Sequence, residues 1–135
     1  MQFQLLTNLG YSFSYYSENS VDITKNATDE SSPPDKKEKI RSNIIVTNDQ
    51  IIDYNSKSLD DFNIYQQLQQ WKIDLIIFGI ATDYTSLYQH PNLIKISKLK
   101  IGWELMNITA TCKSFNYLSA EGRNPLALLF FDYKF

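Results

Sequence analysis

Ser42-Asn43-Ile44-Ile45-Val46-Thr47-Asn48-Asp49 and Ile73-Asp74-Leu75-Ile76-Ile77-Phe78-Gly79 bracket the stretch that decides the fold. Both contain short continuous apolar runs, the pattern of strands covered on both faces of a parallel sheet. Between them, Ser58 suits a helix N-cap, with Asp61 in the position of a capping box. Leu59, Phe62, Tyr65, Leu68 and Trp71, with Ile64 beside them, form an apolar stripe, while Gln66, Gln67, Gln69 and Gln70 face water. The spacing predicts a helix over 58–72. The whole reads as a parallel strand–helix–strand unit closed by a right-handed crossover.

Downstream, Tyr84, Leu87 and Tyr88 predict a short helix over 81–92, capped by Thr82 or Asp83 and ended by His90-Pro91. Leu99, Ile101, Trp103 and Leu105 alternate with polar residues, the period of a half-covered strand; Ile94 and Ile96 sit in the opposite phase, which places a break near Ser97. Residues 111–118 read as a partner strand carrying Cys112, Phe115 and Tyr117. Asn124-Pro125 is a helix start by its chemistry, so 124–135 reads as a closing helix, apolar almost all round.

Upstream the composition changes. Residues 1–16 are apolar and aromatic, with Phe3, Leu6, Leu9 and Phe13 at helical spacing up to a break near Gly10. Residues 17–40 are rich in Ser, Asn, Asp, Glu and Lys, contain Pro33-Pro34, and read as a flexible polar linker. The expected organisation is therefore a partner-binding peptide over 1–16, with folding back onto the domain as an extra helix or edge strand as the alternative, a linker over 17–40 and an α/β domain over 41–135. The fold class is a single small three-layer α/β domain with a central mixed sheet of about four strands, preceded by a flexible N-terminal tail.

The chain has 135 residues, enough for one domain with a real core, and a formal net charge of -2. That charge argues against bulk electrostatic binding of nucleic acid, which rests on many Lys and Arg contacts to phosphate. One cysteine, Cys112, excludes an intramolecular disulfide framework. The first residues lack the pattern of a signal peptide, and no apolar run approaches the length of a membrane helix. The expected setting is cytoplasmic, with no membrane contact.

Chemistry-bearing residues are few. Asp49 and Asp83, with Asp53 near, follow the carboxyl ends of two strands expected to be parallel neighbours, where Mg²⁺ held by carboxylates would serve a small phosphoester hydrolase. No Gly-rich phosphate loop accompanies them, and turn chemistry explains Asp there equally well. His90 reads as a surface or capping histidine, since no nucleophile or orienting carboxylate can be named for it. Cys112 reads as a small hydrophobe in a strand. Lys95, Lys98 and Lys100, with Lys113, are expected on one exposed sheet face, where lysines guard against strand-to-strand association. No cofactor and no catalytic residue is assigned; an inhibitor or immunity-like binding protein would share these features.

Three segments carry a resemblance: Leu5-Leu6-Thr7-Asn8-Leu9-Gly10 before an aromatic stretch, Ile44-Ile45-Val46-Thr47-Asn48-Asp49, and Asn124-Pro125-Leu126-Ala127-Leu128-Leu129. With the order of elements, they resemble the psi subunit of the bacterial DNA polymerase III clamp-loader complex. That resemblance implies a non-catalytic adaptor in DNA replication with a fold related to uracil-DNA glycosylases. The N-terminal peptide, through Leu5, Leu6, Leu9, Phe13, Tyr15 and Tyr16, would dock on clamp-loader subunits. The closing segment, through Phe130, Phe131, Tyr133 and Phe135, would meet a chi-like subunit, which in turn binds single-stranded-DNA-binding protein.

Overall fold

The computed structural model describes residues 10–25 and 35–135. The expected three-layer α/β domain with a central mixed sheet is what it contains. The central sheet has five strands. In chain order these are β4 (Ile44–Val46), β5 (Ile51–Asp53), β6 (Leu75–Ile80), β7 (Gly102–Met106) and β8 (Pro125–Phe130), arranged as β5-β4-β8-β6-β7. A second sheet of three antiparallel strands, β1 (Tyr11–Tyr16), β2 (Val21–Lys25) and β3 (Asp35–Ile40), lies ahead of it in sequence.

Residues 11–16, for which folding back as an edge strand was the alternative to a partner-binding peptide, and the described parts of 17–40, expected as linker, are these strands. Their apolar residues alternate: Tyr11 and Phe13 from β1, and Val21 and Ile23 from β2, turn inward and are buried. Residues 1–9, including Leu5, Leu6 and Leu9, lie outside the described residues.

Each face of the central sheet carries its own apolar cluster. On one face Ile45, Ile76, Phe78, Leu126, Leu128 and Phe130 meet Leu68 of α1 (Tyr65–Gln70) and Leu93 and Ile96 of α2 (Pro91–Lys98). On the other, Ile44, Val46, Ala127 and Leu129 meet Phe13, Val21 and Ile23 of the small sheet. Ile108, Cys112 and Phe115 of α3 (Ile108–Ala120) complete that second cluster. Alternate residues of β4 and β8 thus serve opposite cores, which is why both strands are apolar without a break.

The unit over 43–79 is organised differently from its reading. β4 runs antiparallel to β8 and turns back on β5 as a hairpin, so β4 and β6 are neither neighbours nor parallel. The helix expected over 58–72 is divided into a 3-10 turn, Leu59–Asp61, and α1. Ser58 does cap it, its Oγ accepting from the Asp60 N–H at 3.0 Å. The short helix before Pro91 is a second 3-10 turn, Thr85–Gln89. Pro91 then opens α2 where a strand was expected, because proline at the first helical position costs no hydrogen bond.

Two assignments are exchanged. Residues 111–118, expected as a strand, belong to α3; its buried Ile108, Thr111, Cys112, Phe115 and Ser119 recur at helical spacing. Residues 125–130, expected as helix, are β8, the central strand, with every residue buried. An apolar run of six fits a strand covered on both faces as well as it fits a buried helix. Here the cover on both sides decides.

Candidate functional site

β6, β7 and β8 are mutually parallel through β6, so their carboxyl ends share one edge of the sheet, the usual ligand edge of such architectures. The chain leaves β6 toward α2 on one face and leaves β7 into α3 on the other. Between the ends of β6 and β8 lies an open cleft of about 460 Å³ lined by Thr82, Asp83, Thr85, Ser86 and Phe135.

Several polar groups along this edge already have partners. Asp83 Oδ1 accepts from the Thr85 N–H at 3.0 Å and from the Thr85 hydroxyl at 2.7 Å. Those two bonds hold its carboxyl below the usual carboxylate range, in the order backbone then side chain. Asp83 thus closes a local turn onto Thr85, the first residue of the 3-10 turn, and is a weakened base. At the start of α3, Asn107 Oδ1 accepts from the Ala110 N–H at 2.8 Å. The Glu18 carboxylate, delivered by the β1–β2 turn, accepts from the Ile108 N–H at 3.1 Å and the Thr109 N–H at 2.8 Å. An internal carboxylate therefore fills the position an anionic ligand takes at a helix start. Past β8, the buried Asn43 side chain donates to Ser56 O and Asp132 O and accepts from the Asp132 N–H.

His90, expected as a surface or capping histidine with no orienting carboxylate, caps the start of α2 and does meet a carboxylate. Its Nδ1 accepts from the Asn92 N–H at 3.0 Å, and its Nε2 lies 2.7 Å from Asp60 Oδ1. That bond, with the attraction of the ring, holds the Asp60 carboxyl below its usual range. Cys112 is fully buried on α3, not in a strand; burial pushes its thiol up, and the Glu18 charge adds to the effect. The thiolate form a nucleophile needs is disfavoured.

The metal pair does not form. β4 is antiparallel to β8, so Asp49 leaves the amino edge of the parallel strands while Asp83 leaves the carboxyl edge. A six-residue strand, roughly 20 Å, separates the two levels. Asp53 reaches the carboxyl edge but stands three strand positions from β6, about 14 Å away. Among the described residues no group of three or more His, Cys, Asp or Glu could hold a metal ion. The lysine face also fails to assemble: Lys95 and Lys98 lie on α2, Lys100 follows it, and Lys113 is on α3 across the sheet.

The aromatic candidates are dispersed. Phe13 is 3% exposed and stacks edge-on against Phe115, while Asn116 accepts from its N–H and donates to its carbonyl. Tyr15 is exposed and Tyr16 half-buried. Phe130 lies inside β8, Phe131 is half-buried, and the Tyr133 hydroxyl accepts from the Leu59 N–H. Only Phe135 of that segment is fully open, at 68%.

Sequence reasoning missed a second concave surface, where the small sheet meets the edge of the central one. A groove of about 420 Å³ runs between β3 and β5, lined by Lys37, Lys39, Ile40, Arg41, Ser42, Ile44, Ile51 and Asp53. The signal was the alternation of Val21 and Ile23, which makes 17–40 a strand pair and so gives its basic run a fixed face.

This arrangement defines a class of fold: a three-layer α/β domain with a mixed central sheet. A crystal structure of a Bordetella parapertussis protein is similar at a TM-score of 0.65 and 14% identity, covering 89% of this chain and 94% of that one. A solution structure of a Bordetella pertussis protein described as an Mth938-like domain is similar at 0.63 and 12%, covering 99% and 93%. One from Xanthomonas campestris is similar at 0.61 and 16%, covering 90% and 84%. The chain belongs to the family described as protein of unknown function (DUF498/DUF598), which matches residues 14–130. No curated protein matches it.

These findings replace the psi-subunit assignment and the clamp-loader, chi and single-stranded-DNA-binding partners that came with it. The matched letters also have other roles: Ile44–Val46 opens an antiparallel hairpin, and Asn124-Pro125 opens a strand. Among the described residues no helix is long and apolar enough to cross a membrane.

Proposed function

We propose that this chain is a non-catalytic protein-binding module. One observation carries the reading: four residues with catalytic potential, Asp83, His90, Glu18 and Cys112, are committed to structure. Asp83 closes a local turn, His90 caps α2, Glu18 caps α3, and Cys112 is sealed in the core. A general base needs a free, suitably tuned group within reach of substrate, and a nucleophile needs an activating partner. A cytoplasmic setting is part of the proposal, supported by the single buried thiol of Cys112.

The test is an assay of the purified chain with chromogenic phosphoester and carboxylic-ester substrates, with and without Mg²⁺. The expected result is turnover no higher than the blank. Turnover that is lost in Asp83→Asn or His90→Gln, with the melting curve preserved, overturns the reading.

A further inference from the structure

The groove between β3 and β5 is bounded by the two free strand edges on this side of the molecule. Among the described residues β5 is the outer strand of the central sheet and pairs only with β4, and β3 is the outer strand of the small sheet and pairs only with β2. Each presents a row of backbone N–H and C=O groups to which a further strand can add.

The groove's chemistry is two-sided. Its floor is apolar, from Ile40, Ile44 and Ile51; its wall is cationic, from Lys37, Lys39 and Arg41. Strict alternation would send Lys39, Ile40 and Arg41 to different faces. The β2–β3 register shifts between Val21 and Ile23, and Lys39 adopts a left-handed φ of 54°, its N–H donating to Asp22 Oδ1 at 2.8 Å. The irregularity brings all three residues to the groove, the re-aiming that bulges perform.

None of the three cations has an ion pair among the described residues; the one such pair on β3 joins Lys36 to Glu38. Asp53 is the single carboxylate in the lining, so three cations against one acid leave the groove at +2 in a chain of net charge -2.

We propose that this groove binds an extended acidic peptide segment of a partner protein, added as a strand and read by Lys37, Lys39 and Arg41. The inference rests on the binding-module reading and names its surface and the chemistry of its partner. β3 is six residues long, which sets the segment at about six residues, with acidic side chains toward the wall and apolar ones on the floor. Nucleic acid fits less well. It cannot continue a strand edge, and no aromatic ring lines the groove to stack a base. Residues 1–9 contain no acid, so they do not supply the segment.

The experiment is fluorescence anisotropy on the full chain. The probe is a labelled peptide of about seven residues alternating Val and Glu, sized to the strand. Comparators are the same peptide with Lys for Glu, the acidic peptide N-methylated at alternate amides, and an oligothymidylate of equal length. The acidic peptide binds, and Lys37→Glu with Arg41→Glu weakens it tenfold or more. N-methylation weakens it to a similar degree, and Lys95→Glu with Lys98→Glu on α2 leaves it within about twofold.

Absence of binding overturns the proposal. So does binding that N-methylation leaves intact, that the α2 variant weakens equally, or that oligothymidylate matches. The altered wall residues are exposed, so an unchanged melting curve verifies the fold. Failure here with no catalytic turnover removes the groove and leaves the module; turnover lost in Asp83→Asn removes the module whatever the peptide does.

Discussion

Gly79 sits near the carboxyl end of β6 with no room for a side chain. A Cβ there would lie 2.8 Å from both Leu129 Cδ2 and Thr111 Oγ1. It is the point where α3 closes on the sheet. Gly79→Ala forces the helix and strand apart, and a loss of about 1–3 kcal/mol is expected in denaturant unfolding. Tyr54 sets a pH limit. Burial first, then the Asp61 charge, raises its phenol above the ordinary tyrosine range, and its hydroxyl donates to Ser58 O at 3.0 Å. A group with a raised folded pKa keeps its stabilising effect below the unfolded pKa, about 10, and loses it as pH rises beyond. Melting temperature should therefore fall as pH rises above about 10, and Tyr54→Phe should flatten that decline. An equal decline in the variant would move the cause to Tyr11 and Tyr65, whose phenols are also raised by burial.

Among the elements, α3 depends most on residues distant in sequence. Its first turn is capped from within by Asn107 and from the β1–β2 turn by Glu18, so two free N–H groups near its positive end meet a carboxylate. Glu18→Ala should cost roughly 1 kcal/mol in chemical unfolding, and the loss should shrink with added salt. A salt-independent loss would assign the effect to packing. α3 was hard to read because two of its buried positions are polar. Thr111 donates its hydroxyl to Asn107 O, and Ser119 donates to Asn48 Oδ1 at 2.6 Å, so both hydroxyls are buried with partners. That breaks the apolar stripe by which an inward helix face is recognised. β6 was legible for the converse reason: its run is continuous, short and bounded by turn residues.

For the whole molecule, the consequential difference lies in the first forty residues. Tyr11, Phe13, Val21 and Ile23 are part of the second core, and Asn116 completes the hydrogen bonding of Phe13. Removing residues 1–16 would uncover Ile44, Phe115 and Leu129. The truncated chain should lose its cooperative melt or fall into aggregates; a melt within a few degrees of the full chain would mean that the small sheet is an appendage. The candidate sites followed from the same misreading. Asp49 and Asp83 looked like neighbours only while β4 was taken as parallel, and the groove of Lys37, Lys39 and Arg41 had no fixed face while 17–40 was taken as a linker.

The sequence by itself determined the class of fold, a strand ending at Gly79–Ile80 and the cap at Ser58. These follow from local chemistry: apolar runs, caps and composition act within a few residues. Only the tertiary structure decided that 125–130 is a central strand and 108–120 a helix, that β4 runs antiparallel, and that the amino-terminal strands close a core. An apolar run has no preferred secondary structure until its two sides are covered, and strand direction depends on which neighbour is reached first. Both are properties of contacts between segments far apart in the chain.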